Sequence, residues 1–73
     1  MKVIDLFNDM ANGKPLPNRI KLQCVNGINE SNCFYRFNPI AETYWNNEHN
    51  LLQNATYLAT LLDLNIEILD EVK

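Results

Sequence analysis

The stretch NRIKLQCVNGINESNCFYRFN, residues 18–38, decides the fold. Ile20, Leu22 and Cys24 alternate with Lys21 and Gln23, the two-residue period of a strand with one buried face. Beyond the turn, Cys33, Tyr35 and Phe37 alternate with Phe34 and Arg36 in the same way. The segment between is rich in Asn, Gly and Ser, residues that tolerate turn dihedrals. The two arms therefore read as a β-hairpin, with Cys24 opposite Cys33, Leu22 opposite Tyr35 and Ile20 opposite Phe37. In that register all six side chains share one face, and a slip by one residue would turn one strand's set to solvent.

Upstream, Val3, Leu6, Phe7 and Met10 recur at helical spacing, with Ile4 and Ala11 widening the stripe. Gly13 follows, and Pro15 and Pro17 prevent continuation, so a helix is expected over residues 2–12. Downstream, residues 42–45 read either as a short third strand or as the start of a long helix. In NLLQNATYLATLLDLN, Leu51, Ala55, Leu58 and Leu62 fall on one helical face, flanked by Leu52, Ala59 and Leu61, with Asn50 as N-cap. Ile66 and Ile68 alternate with Asn65 and Glu67 as a final strand. Residues 1–73 thus read as a single α+β domain: helix, antiparallel hairpin, a third strand, helix and C-terminal strand, the helices packed on a small antiparallel sheet.

Composition narrows the function classes. The chain is 47% apolar and 10% aromatic, which is globular rather than disordered. Its net charge of −3 disfavours general DNA or RNA binding, because phosphate contacts dominate that affinity. Lys14, Arg19, Lys21 and Arg36 are the cations from which a basic patch could be drawn. Asp5 and Asp9 interrupt the early apolar residues, so no signal peptide is expected, and no apolar run approaches the roughly 20 residues of a membrane span. The expectation is a cytoplasmic protein whose two thiols stay reduced as small core hydrophobes, a bridged pair being the minor alternative.

Chemical motifs are sparse. No phosphate-loop, dinucleotide, metalloprotease or nucleophile-elbow signature occurs. Neither a metal site nor a cofactor is expected: two Cys and one His fall short of the usual four zinc ligands. A nucleophilic pair of Cys24 or Cys33 with His49 is disfavoured, since reactive thiols are exposed and the alternation turns both inward. Asp5 with Asp9, and the acidic run Asp70–Glu71, read as solvated polarity. The chain is not expected to be an enzyme.

The aromatics are more suggestive. Phe34 and Arg36 fall on the hairpin face opposite the core, and the adjacent Tyr44 and Trp45 point to opposite sides of an extended segment. Phe34, Arg36, Tyr44 and Trp45 are the residues expected at a partner surface, aromatic side chains and Arg being enriched at binding hot spots. An exposed Phe34 calls for a cover, either a homodimer or another protein. A reading of another class is an oligomeric sponge that holds a nucleotide-like molecule by stacking and by Arg36 or Arg19, its pocket lying between subunits.

The opening MKVIDLFNDMANGKPLPNRIKL and the ending LNIEIL resemble a group of small uncharacterised proteins encoded by phages and prophages of low-GC Gram-positive bacteria. Residues 2–6, 11–13, Pro17, Ile20, Lys21 and 64–69 carry the resemblance, while the middle of the chain departs from it. The matched positions are scaffold, so no catalytic or ligand residue is carried over. What the resemblance implies is context: an accessory protein inside a bacterial host, binding and modulating a host or defence protein through its divergent middle, residues 25–50.

Overall fold

The first helix is set by its two ends as much as by its stripe. Helix α1 spans Val3–Ala11, and the Asp5 carboxylate accepts the Lys2 N–H at 3.0 Å, placing an anion where the helix dipole favours one. At the other end Gly13 adopts a left-handed φ of 67°, and the Gly13 and Lys14 N–H groups reach back to the Met10 and Asp9 carbonyls at 3.2 and 3.0 Å. That is a Schellman closure, and only glycine enters it without strain. Val3 and Leu6 are buried and Phe7 and Met10 half-buried, whereas Ile4 and Ala11 face solvent and do not widen the stripe.

The computed structural model describes residues 1–24 and 30–70. Four strands follow α1: β1 (Arg19–Leu22), β2 (Phe34–Asn38), β3 (Thr43–Trp45) and β4 (Ile66–Asp70). They form one antiparallel sheet in the order β3-β2-β1-β4. Residues 42–45 thus resolve as a strand rather than as the start of a helix. The reason lies in the preceding turn: the Asn38 side chain accepts the Ile40 N–H at 3.0 Å, and Glu42 turns left-handed at φ 56°, returning the chain antiparallel to β2.

The hairpin forms with its faces as expected and its register displaced. Ile20 pairs with Tyr35, Lys21 with Phe34 and Arg19 with Arg36, two residues away from the pairing of Leu22 with Tyr35 and Ile20 with Phe37. A two-residue shift preserves the side-chain period, so Ile20, Leu22 and Tyr35 still point inward. Its cause is the 3₁₀ turn Glu30–Cys33, which takes Cys33 out of the ladder and starts β2 at Phe34. The turn expected ahead of it falls largely on residues 25–29, outside the described residues.

The cysteines also differ from expectation. Cys33 is buried but Cys24 is exposed beyond the end of β1, and the two are joined in a disulfide with their Cα atoms 5.9 Å apart. That separation lies within the ordinary disulfide range. The pair is a staple across the hairpin's open end rather than two reduced core thiols.

The second helical segment is interrupted. A 3₁₀ turn occupies Leu52–Asn54, Tyr57 is extended, and helix α2 covers only Leu58–Asp63. Leu52 and Leu61 are both fully buried. On a continuous helix they would stand about 180° apart, at roughly 100° per residue, and could not face one core. The break resolves that conflict and leaves Leu58, expected on the buried stripe, 61% exposed.

α1 and α2 touch each other, and Lys2 bridges to Asp63 at 2.5 Å across their ends. Val3, Leu6, Ile20, Leu22, Tyr35, Tyr44, Leu52, Leu61, Leu64 and Ile66 form one buried cluster between the helices and the inner sheet face. The chain is a small α+β domain.

Two outcomes test this packing. Leu61→Ala should lower unfolding free energy by about 2–5 kcal/mol, and Leu58→Ala by no more than about 0.5, in urea titrations; equal costs would restore the continuous helix. Reducing the disulfide, whose cysteines are 9 apart in sequence, should cost about 2–3 kcal/mol without changing the sheet's circular dichroism.

Candidate interaction face

Alternation that buries Ile20, Leu22 and Tyr35 must present Arg19, Lys21, Phe34 and Arg36 on the other side of the sheet. Both helices lie against the inner side, so this outer face is the one the fold leaves open. Residues paired across strands share a face, and Arg36 pairs with Trp45. One row across the sheet therefore reads Asp70, Arg19, Arg36, Trp45, and the next reads Glu67, Lys21, Phe34.

Phe34 is 41% exposed, and the Lys21 ammonium lies 5.3 Å from its ring centroid, a cation–π contact between cross-strand neighbours. Arg36 is exposed beside it. Trp45 is half-buried, with its ring tilted at 38° over the His49 imidazole, centroids 4.6 Å apart. The Asn46 side chain holds this turn: its oxygen accepts the Glu48 and Asn50 N–H groups at 2.9 and 3.0 Å, and His49 sits left-handed at φ 62°. Asn32 donates to the Glu48 carboxylate, tying the turn to the hairpin.

Tyr44 does not belong to the surface. It is 0% exposed, packs edge-on against Phe37 with centroids 5.3 Å apart, and donates its hydroxyl to the Pro17 carbonyl at 2.5 Å. Its register opposite Phe37 turns it inward, so of four residues expected at a partner surface three are there: Phe34, Arg36 and Trp45. Sequence reasoning passed over Lys21, Asn47 and Leu69. The first follows from alternation once the true register is known, whereas the other two depend on a turn and a bulge that no periodicity announces.

Between the strands the outer face dips into a cavity of about 260 Å³ lined by Arg19, Phe34, Tyr35, Arg36, Asn47 and Leu69. Leu69 reaches it because the β1–β4 register shifts between Arg19 and Ile20, leaving Leu69 as the extra residue between Ile68 and Asp70.

Other chemistry finds little footing. With Cys24 and Cys33 joined, neither is a free thiolate, and His49 is engaged by Trp45. Among the described residues no three of His, Cys, Asp and Glu gather as a metal site, and no helix is long and apolar enough to cross a membrane. Comparison with protein-family models, curated proteins and solved structures finds no match for this chain.

Burial pushes the Tyr44 hydroxyl up to about 12, and burial likewise raises Tyr35. The folded state therefore holds these protons more tightly than the unfolded chain, whose tyrosines titrate near ~10. The stability they contribute is complete below about pH 10 and is lost as pH climbs toward 12, with Tyr44 alone accounting for roughly 2–3 kcal/mol. Urea midpoints measured from pH 9 upward should fall accordingly. Tyr44→Phe should flatten the fall while costing about 1–2 kcal/mol at neutral pH, where it leaves the Pro17 carbonyl without its donor.

Proposed function

We propose that this chain is a non-enzymatic interaction protein, encoded by a phage or prophage, that binds and modulates a host or defence protein through the outer face of its sheet. The observation that carries the reading is the composition of that face. Four-stranded sheets with one solvated side ordinarily clothe it in short polar residues, and here it holds a phenylalanine, a tryptophan and two arginines. Aromatic side chains beside Arg are what binding hot spots are made of. The encoded context rests on the resemblance at the two ends of the chain.

Placement in the reducing cytoplasm of a bacterial host has a structural consequence. The disulfide would be open there, and the sheet would be held by its core and ladders without the staple.

The test is a tagged capture from the lysate of a low-GC Gram-positive host, run in parallel with wild type, Phe34→Ala and Trp45→Ala. One stoichiometric partner with wild type, lost at least tenfold with Phe34→Ala while that variant keeps its native circular dichroism, is the expected result. A partner retained equally by both variants would move the contact off this face. If Trp45→Ala unfolds the domain, Trp45 is a structural residue and leaves the set.

A further inference from the structure

Charge is distributed unevenly over the molecule. The outer face holds three of the six Lys and Arg residues (Arg19, Lys21, Arg36) but two of the nine Asp and Glu residues (Glu67 and, by register, Asp70). Within it the cations are not equivalent. Lys21 stands opposite Glu67 and over the Phe34 ring, so it has local partners. Arg19 and Arg36 stand directly opposite one another on neighbouring strands. Like charges in that relation are destabilising, and one aspartate in the row cannot balance two guanidiniums.

We infer that the cavity between these arginines is a binding site for a small oxyanion carried on a flat ring, the chemistry of a nucleoside monophosphate. Guanidinium groups offer forked donors that match phosphate or carboxylate oxygens in pairs. Arg19 and Arg36 both line the cavity, and an anion between them relieves their opposition. Phe34 forms a further wall, with Lys21 over its ring, and a wall of this kind stacks a planar group. Leu69 supplies an apolar boundary, and the Asn47 side chain brings both a donor and an acceptor for a ring edge.

Size and charge select a monomer over a polymer. At about 260 Å³ the cavity lies just below the range of pockets for drug-sized ligands, enough for one ring or one phosphate group to be seated deeply. A long polyanion would meet the repulsion of a chain whose net charge is −3. The site lies on one chain's own sheet, so no subunit interface is required. It stands or falls independently of the protein-partner reading.

The experiment is a ¹H–¹⁵N NMR titration of the full oxidised chain at low ionic strength with three probes: inorganic phosphate, adenosine and AMP. AMP should shift the amides of Arg19, Phe34, Arg36 and Leu69 saturably, at least fivefold more tightly than phosphate or adenosine. Arg36→Ala should weaken AMP at least tenfold. Arg36→Lys, which keeps the charge and loses the fork, should weaken it several-fold, and Phe34→Ala should bring AMP down to the affinity of phosphate. Adenosine binding as well as AMP would overturn the anion role, and phosphate binding as well as AMP would overturn the ring. Shifts that do not saturate, or that spread equally to Lys2 and Lys14, would overturn the site itself. All three substitutions are at exposed positions, and each variant's own spectrum reports whether it is folded.

Discussion

Strand β1 is four residues long, and the molecule is arranged around it. Ile20 is paired with Tyr35 on one side and Ile68 on the other, and Leu22 is paired with Ile66. These contacts join the hairpin to the C-terminal strand, across nearly the whole sequence. They also define an inner face onto which α1 delivers Val3 and Leu6 and α2 delivers Leu61. Non-local pairing of this kind gains nothing until a large loop has closed. The hairpin is therefore the cheaper pairing, and β4 is the strand whose docking completes the core.

Much of this was legible in the residues because it depends on period alone. Alternation at Ile20, Leu22, Tyr35 and Ile66 and the helical stripe through Val3 and Leu6 give element type and inward face regardless of partners. What periodicity does not encode is the interior of a turn. The 3₁₀ segment before Phe34 consumes Cys33 and moves the register by two, a displacement invisible to a pattern that repeats every two residues. The break before Leu58 was hidden for a related reason. Several Leu positions fit a helical stripe, and only the core decides that Leu52 and Leu61 are the ones it takes. Tyr44 and Trp45 were recognisable as a pair on opposite sides, but which one faced inward awaited the pairing of Tyr44 with Phe37.

The candidate face divides in the same way. Phe34 and Arg36 follow from alternation. The cavity beside them depends on a bulge in β4 and on the turn organised by Asn46, both of which are tertiary facts. A protein partner and a small anion that both require Phe34 and Arg36 cannot occupy the face together, so occupancy by one reports on the other.

The sheet's two margins are each blunted. Along β3, only three residues long, Trp45 is bridged by Leu51, and the Thr43 hydroxyl donates to Gln53. Along β4, the Ile66 N–H is taken by the Met1 carbonyl at 2.7 Å and Lys2 is bridged to Asn65, leaving the stretch 67–70, which the bulge at Leu69 twists out of line. Free strand margins are templates on which foreign chains or further copies polymerise. This molecule offers little to such recruitment despite its exposed Ile68 and Leu69. It can keep an aromatic surface open to solvent without the ribbon-wise stacking that so apolar a sheet would otherwise invite.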